Sequence, residues 1–354
     1  MILVGKKLMI NKKLSFFIII IVVFFWFIFL IIIPNKIHTK DSKFILNGFT
    51  MGTTYEIKIE SSSPKVKIAT IQKSVDSILV SINKSMSTYI ADSEISLFNN
   101  NLFKNNDNCY KVSNDFFKVL VTSDKYNNDT NGAFDPTVMP LLKLWGFRGN
   151  KFYNIPKTST IDSVLKYVGF DKVVINKQNK CVFFNSNNLT LDFGAIAKGF
   201  AVDKISEFLF SLGLKKHFVE IGGEIICKGK EWKISIAYPE FNSKKSFKSI
   251  QLKDMSIATS GTYNQHFEVD EFEYSHIFDS RIGKPVKNNI VSVSVISPNS
   301  IDSDALATSL KVLGLKDGII LIDKIKRTEA MFIVKEGDHL KSYYSKNFSN
   351  FITD

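Results

Sequence analysis

A single apolar run near the N-terminus constrains this chain more than any other feature. Residues 14–33 are hydrophobic at every position except Ser15, and Pro34 follows the run. A helix of this length spans about 30 Å, which matches the hydrocarbon core of a bilayer. A cleaved signal peptide usually has a shorter apolar core and a cleavage site of small residues. The sequence therefore predicts a transmembrane anchor at 14–33, preceded by a basic tail at 1–13.

Lysines flank this run on both sides. Four precede it and three follow it before residue 44. Because basic flanks tend to stay in the cytoplasm, the slight excess before the run favours an N-terminus inside the cell. We therefore expect a single-pass membrane protein whose larger part lies outside the cytoplasm.

The net charge of +12 does not indicate nucleic-acid binding. Half of it belongs to residues 1–43, and the whole chain contains only three arginines. Proteins that bind nucleic acids usually gather Lys and Arg on one face or along one helix. The sequence has no such cluster, so we expect no nucleic-acid partner.

The three cysteines are odd in number and far apart. Cys109, Cys181 and Cys227 form no CxxC or CxxH pattern, so the sequence does not indicate a zinc site. Buried or half-buried thiols are the simplest expectation. One disulfide is possible, but nothing in the spacing supports it.

A polar linker is predicted at 34–43 and a single domain at 44–354. Segments with helical spacing and short apolar strands follow one another without strict alternation, which is typical of an α+β fold with mixed or antiparallel sheets flanked by helices. A first helix is predicted to begin at residue 63. Three further helices are predicted at about 113–127, 197–212 and 302–313. The predicted strands are a pair within 46–59 and single strands at 173–175, 182–184, 217–221, 232–237, 256–259, 275–278, 291–296 and 331–334.

The strongest local signal runs from Asp192 to Gly199. This segment follows an apolar strand predicted around 189–191, contains two glycines and opens a predicted helix. Glycine permits close backbone approach, and the free amides of a helix N-terminus bind anions. Lys198 adds a positive charge in the first turn. The segment suits a phosphate or pyrophosphate, although an ordinary strand-to-helix turn has the same spacing.

A second signal lies at the start of the predicted helix 302–313. Asp304 and Thr308 are four residues apart and therefore share a face of that helix. Carboxylate and hydroxyl oxygens are hard ligands that suit Mg²⁺. The structural alternative is that Asp302 caps the helix while Asp304 only complements its dipole.

Two further segments have both a functional and a structural interpretation. The turn from Gly132 to Thr137 places Phe134 beside a Gly, an Asp and a Pro, which suits either a ring-stacking wall or a simple loop. His276 lies at the end of a predicted strand, where it is either structural or a general base toward a hydroxyl.

Taken in order, these segments resemble the ApbE family, the FAD:protein FMN transferases. The similarity covers about residues 46–335 and implies an ApbE-like α+β fold related to the T-fold. Five further segments match the family in the same order. They are Met51-Gly52-Thr53, Ser87-Thr88-Tyr89, Gly222-Gly223-Glu224, Ser260-Gly261 and Ser275-His276-Ile277.

The resemblance implies that FAD is bound as a substrate and that Mg²⁺ assists. The residues implied to line the FAD site are Met51, Tyr89, Ala133, Phe134, Asp135, Asp192, Lys198 and Ile277. The implied magnesium ligands are the Ala195 main-chain carbonyl, Asp304 and Thr308.

The same resemblance implies the reaction and its cellular location. A Thr or Ser hydroxyl of a partner protein attacks the FMN-side phosphorus of FAD and AMP leaves, with His276 as the expected base and Asp304 as the other catalytic residue. Family members commonly lie on the outer face of the inner membrane, which agrees with the predicted anchor. The expected acceptor is a respiratory-complex subunit or a surface flavoprotein.

Two departures from the family pattern stand out. Ser280 occupies a position where the family commonly has Pro, and Ala307 stands where some members carry a second carboxylate. Three alternatives stay open at this point: an FAD pyrophosphatase that gives FMN and AMP, a non-catalytic flavin-binding carrier or sensor, and an anchored structural protein.

Overall fold

A hairpin is the first element among the described residues. Strand β1 (Ser42–Thr50) pairs antiparallel with β2 (Thr53–Ser61), and Met51 in the turn adopts a φ of 51°. The hairpin begins inside the predicted linker 34–43. The structure is a computed structural model that describes residues 41–63, 67–100, 109–149, 155–184, 188–240, 245–262, 266–269 and 272–353.

The elements follow one another without regular alternation. The further strands are β3 (Tyr110–Lys111), β4 (Val173–Asn176), β5 (Cys181–Phe184), β6 (Lys216–Ile221), β7 (Glu224–Lys228), β8 (Trp232–Ala237), β9 (Ser246–Leu252), β10 (Met255–Gly261), β11 (His266–Val269), β12 (Phe272–Ser275), β13 (Phe278–Asp279), β14 (Lys284–Pro285), β15 (Ile290–Ser297), β16 (Glu329–Glu336) and β17 (His339–Tyr344). The helices are α1 (Ile68–Met86), α2 (Glu94–Asn99), α3 (Asn114–Asp129), α4 (Met139–Leu144), α5 (Thr158–Leu165), α6 (Ala197–Ser211), α7 (Ser300–Leu313) and α8 (Leu315–Ile322).

The largest sheet among the described residues has eight strands in the order β1-β2-β6-β7-β10-β15-β16-β17. Each neighbouring pair in it is antiparallel. The prediction of an α+β fold with antiparallel sheets and flanking helices is therefore confirmed.

Both faces of this sheet are buried, because side chains alternate along each strand. In β6, Val219 and Ile221 face a core shared with α1, α6 and α7. Phe218 between them faces a second core that contains residues of the β8–β9 hairpin. The sheet is thus the middle layer of the fold, and α6 and α7 lie on one side of it.

Two predicted strands are wrong. The strand expected at 275–278 is interrupted by a bend at His276, so that β12 ends at Ser275 and β13 begins at Phe278. The segment around Leu191 is not a strand either. The side-chain amide of Asn99 donates to the Leu191 carbonyl at 2.8 Å and accepts from its amide at 2.7 Å. One side chain therefore takes the place of a neighbouring strand.

The described residues contain no helix that is long and apolar enough to cross a bilayer. The predicted anchor at 14–33 and the basic tail at 1–13 lie outside the described residues.

A disulfide joins Cys109 to Cys181, which corrects the expectation of three separate thiols. Their Cα atoms are 5.6 Å apart, and 72 residues separate them along the chain. Pairing between strands creates this contact, since Lys111 of β3 lies opposite Cys181 of β5. Sequence spacing therefore carries no sign of it. Cys227 is a buried thiol, as expected.

Removing this disulfide should destabilise the protein. A bond that closes so long a loop restricts the unfolded chain and typically contributes about 2–4 kcal/mol. We expect the Cys109→Ser/Cys181→Ser double variant to lose about this much free energy of unfolding in urea. Dithiothreitol should lower the melting temperature of the parent and leave the double variant unchanged. A parent that melts at the same temperature with and without the reductant would contradict the disulfide.

Candidate active site

Helix α6 begins at Ala197, as predicted, and the loop before it is ordered by Asp192. The Asp192 amide donates to the Pro136 carbonyl at 2.7 Å. One carboxylate oxygen, Oδ1, accepts from the Gly194 amide at 2.6 Å. Asp192 thus ties the start of α6 to the turn that holds Asp135.

The amides at this helix N-terminus are less available than the sequence indicates. Those of Ile196 and Ala197 both donate to the Phe193 carbonyl, at 3.1 and 2.8 Å. The Gly199 amide donates to Oδ2 of Asp304 at 2.8 Å. The expectation that these amides cradle an anion is therefore wrong for all three, and the positive charge of Lys198 becomes the main feature that favours an anion here.

Gly199 brings α6 against α7. A Cβ atom at this position would lie 2.3 Å from the Ser300 carbonyl oxygen and 2.7 Å from Cβ of Asp304. Only glycine therefore permits this approach. The Gly199 amide is in the first turn of α6 and has no acceptor within the helix, so Asp304 satisfies it. Helical bonding in α6 begins with the Phe200 amide, which donates to the Ile196 carbonyl at 3.1 Å, so the Ala195 carbonyl precedes the helical hydrogen bonds.

Three charged groups meet at this junction. Nζ of Lys198 lies 2.6 Å from Oε1 of Glu224, and both carboxyl groups, of Glu224 and of Asp304, are buried. Burial raises the pKa of each carboxyl, although the Lys198 ammonium opposes the shift. Burial lowers the pKa of Lys198, but the two carboxylates outweigh it and raise that pKa overall. With all three groups ionised, the junction carries one negative charge.

Thr308 lies on the same helix as Asp304 and is half-buried. Its Oγ1 is 3.5 Å from the Ser260 hydroxyl. The two predicted ligands Asp304 and Thr308 therefore stand on α7 near the end of β10. In the described part of the chain, no three His, Cys, Asp or Glu side chains form a metal cluster. A cation at this junction would depend on carbonyl and hydroxyl oxygens as well as on Asp304.

Arg148 connects two residues of the predicted FAD site. Its guanidinium lies 5.2 Å from the centre of the Tyr89 ring, and its Nε is 3.3 Å from Oδ2 of Asp192. A cation held over an aromatic face is attracted to it. Tyr89 is 78% exposed, so its ring lies at the surface. Arg148 holds the ring there, and Asp192 in turn holds Arg148.

The turn from Gly132 to Thr137 is built around a buried carboxylate. Oδ1 of Asp135 accepts from the Thr137 amide at 2.8 Å and from its hydroxyl at 2.6 Å. Burial raises the pKa of Asp135 although these bonds lower it. Phe134 is only 2% exposed and packs edge-on against Tyr126. Its ring belongs to the core in this structure.

The remaining predicted site residues lie in three places. Ala133 and Ile277 are buried together in a small cluster with Val312 of α7. Met51, at the turn of the first hairpin, packs against the main core. His276 is half-buried in the bend between β12 and β13.

Sequence reasoning missed the roles of two residues in this site. In the sequence, Glu224 stands only as the end of a Gly-Gly turn. Its contact with Lys198 depends on the pairing of β6 with β7. Arg148 carried no signal beyond the rarity of arginine in the chain. Its partner Asp192 is 44 residues away, and no pattern in the sequence marks that contact.

Known proteins are similar to this chain in sequence and in fold. The model of the ApbE family matches residues 51–332. The FAD:protein FMN transferase of Vibrio cholerae is 34% identical over 314 residues, covering 87% of this chain and 92% of that protein. The protein of the same name from Escherichia coli is 28% identical over 330 residues, covering 90% of this chain and 92% of that protein.

Solved structures of flavin transferases have the same fold as this chain. The flavin transferase ApbE from Vibrio cholerae superposes with a TM-score of 0.78 at 34% identity, covering 88% of this chain and 99% of that one. The apo form of the Pseudomonas stutzeri flavinyl transferase ApbE gives a TM-score of 0.78 at 30% identity, covering 88% of this chain and 97% of that one. By its fold and its relatives, the chain is thus a transferase. The chain belongs to the ApbE family.

Helix α7 is capped by a residue of α6. Oδ1 and Oδ2 of Asp203 accept from the amides of Ser300 and Ile301 at 2.8 and 2.9 Å. The alternative that Asp302 caps this helix is therefore wrong, because Asp203 takes that role from a distance. Burial raises the pKa of Asp203 to about 6, although the two amides lower it.

Replacing Asp203 should loosen the junction that carries Asp304. At pH 8 we expect Asp203→Ala to lose about 1–3 kcal/mol of unfolding free energy, because two buried amides lose their acceptor. Asp203→Asn keeps one acceptor and should lose less. Since the folded pKa lies above the ordinary value of about 4, the parent should gain stability relative to Asp203→Asn as the pH falls from 7 to about 4.

Asp317→Ala is the matched control, because this Asp is exposed in the first turn of α8. Its loss should stay below about 1 kcal/mol. Equal losses for the two alanine variants in urea titrations would contradict the capping role.

Proposed function

We propose that this chain transfers the FMN half of FAD to a Thr or Ser hydroxyl of a partner protein and releases AMP. The observation that carries this proposal is the junction of Lys198, Asp304 and Glu224 at the start of α6. It lies within the stretch that matches the ApbE family. The relatives from Vibrio cholerae and Escherichia coli are named for this activity.

The residues at the junction suit the pyrophosphate of FAD. The Lys198 side chain is 29% exposed, so its ammonium can reach a bound phosphate while it stays paired with the Glu224 carboxyl. The dipole of α6 adds a favourable potential for an anion. We assign Asp192 and Tyr89 to the same substrate, since Arg148 fixes both near this end of the helix.

The donor set at the junction also fits Mg²⁺. Asp304 and Thr308 offer a carboxylate and a hydroxyl, and the Ala195 carbonyl lies in the loop before α6, ahead of the helical hydrogen bonds. Magnesium prefers such oxygen ligands and usually keeps waters or substrate phosphates as well. With both carboxyls ionised, the junction carries a negative charge, which favours a cation. When bound, the ion would neutralise charge on the pyrophosphate.

The transfer needs a base and a fixed phosphorus. In the proposed reaction His276 takes the proton of the acceptor hydroxyl, and the oxygen forms a bond to the FMN-side phosphorus. The bond from that phosphorus to the bridging oxygen breaks, and AMP leaves with the electron pair. Lys198 holds the phosphates in place throughout, which is a positioning role. No covalent intermediate with the enzyme is required.

Transfer can be measured directly on the acceptor. The full chain in detergent would be incubated with FAD, Mg²⁺ and a candidate acceptor domain from a respiratory-complex subunit or a surface flavoprotein. We expect the acceptor to gain the mass of FMN less water. EDTA should abolish the gain. Asp304→Ala should lower the rate by about 100-fold or more, since the ion stabilises developing charge.

Asp317→Ala serves as the control for this experiment, because it removes a carboxylate from the exposed start of α8. It should transfer at the parental rate. Full activity of Asp304→Ala would overturn the metal assignment. AMP and free FMN with an unchanged acceptor would move the proposal to a pyrophosphatase. Flavin retained without either product, with two acceptors, would indicate a binding protein.

We also propose that the catalytic domain lies outside the cytoplasm, anchored in the inner membrane by residues 14–33. The Cys109–Cys181 disulfide supports this location, because disulfides form and persist in oxidising compartments. The lysine bias around the anchor points the same way.

A reporter fused after Asp354 tests the orientation. Alkaline phosphatase, which needs disulfides to fold, should be active in this fusion, whereas a fluorescent protein that matures only in the cytoplasm should stay dark. Deleting residues 1–33 provides the control, since it should reverse both signals. A bright cytoplasmic signal from the full chain would contradict the proposed orientation.

A further inference from the structure

Glu224 is the most deeply buried of the three ionisable groups at the junction, and its hydrogen bonding is incomplete. Its side chain is 3% exposed, and Oε1 pairs with Nζ of Lys198 at 2.6 Å. The other oxygen, Oε2, is buried and has no hydrogen-bond partner. An unsatisfied buried carboxylate oxygen is costly, so its presence needs an explanation beyond packing.

The backbone is specifically built to bring Glu224 to this place. Gly222 and Gly223 adopt φ values of 61° and 102°, which L side chains rarely reach. A Cβ at Gly222 would lie 2.7 Å from Cγ2 of Thr53, so the turn packs against the hairpin that carries Met51. The Gly223 amide donates to Oε1 of Glu220 at 2.7 Å and fixes the turn.

Stability alone does not favour this arrangement. The buried carboxyls of Glu224 and Asp304 share a single ammonium, that of Lys198, and burial raises the pKa of both carboxyls. Buried ion pairs are often no better for stability than neutral groups of the same shape. A neutral amide at 224 would remove one of the two buried carboxyls and still accept from Lys198.

We propose that Glu224 is a positioning residue that holds the Lys198 ammonium at the start of α6, and so sets where the phosphates of a bound nucleotide lie. The inference rests on the proposed transferase function. Lys198 has a long side chain with several rotamers, and the ammonium acts as a point charge without directional preference. Glu224 restricts it to one position before the substrate arrives, which lowers the cost of ordering it on binding.

Glu224→Gln tests this role with little change of shape. We expect kcat/KM for FAD to fall about 10- to 100-fold, as is typical when a partner that orients a functional group is removed. The melting temperature should stay equal to that of the parent or rise, because a buried ionisable carboxyl is replaced by a neutral amide. The affinity for FAD in EDTA, followed by flavin fluorescence, should also weaken.

A double-mutant cycle shows whether Glu224 acts through Lys198. In a Lys198→Met background, Glu224→Gln should have almost no further effect on FAD affinity, because the group that it positions is absent. Glu60→Gln is the matched control. Glu60, on the first hairpin, forms a similar pair with Lys230 at 2.8 Å. Replacing Glu60 should leave kcat/KM within about twofold of the parental value.

Each result bears on the inference. Parental activity in Glu224→Gln would overturn it. A loss of activity matched by a fall in melting temperature would mean that Glu224 is only structural. Additive effects in the Lys198→Met background would mean that Glu224 acts independently of Lys198. A parent that neither binds FAD nor transfers FMN would overturn the proposed function itself, and the inference with it.

Discussion

The contact between α6 and α7 at Gly199 is the interaction on which the rest of the site depends. No side chain fits there, since a Cβ would lie 2.3 Å from the Ser300 carbonyl oxygen. The missing side chain lets the Gly199 amide reach Asp304. Asp203 reinforces the contact one turn later by capping α7. One glycine and one capping carboxylate thus bring the predicted phosphate segment and the predicted metal segment together.

The charges at this contact explain why such tight packing is useful. Buried carboxylates with raised pKa values destabilise a fold when they are ionised, and two of them meet here beside a single ammonium. A protein selected only for stability would have no reason to keep them. A protein that binds a cation and a pyrophosphate gains from them, because the ligands supply the missing charges. The buried carboxyls that cost stability therefore lie where the proposed substrates bind.

The sequence predicts local features of this molecule well and distant contacts poorly. The start of α6 at Ala197 and the position of Asp304 and Thr308 on one face of α7 follow from helical spacing, which is a property of neighbouring residues. The Cys109–Cys181 bond depends on strand pairing across 72 residues, for which the spacing gives no sign. The expected strand at Leu191 fails for the same reason, since its partner is the side chain of Asn99. Helix capping by Asp203 instead of Asp302 is a third contact of this kind.

The structure also separates the two aromatic residues that the sequence assigns to the flavin site. Phe134 is 2% exposed and packs against Tyr126, so its ring has no face open to a ligand. Tyr89 is 78% exposed, and Arg148 holds its ring in place from one side. An exposed ring that is already fixed loses little conformational freedom when a flat ligand stacks on it. Under the proposed function, stacking therefore belongs to Tyr89, while Phe134 supports the turn that carries Asp135.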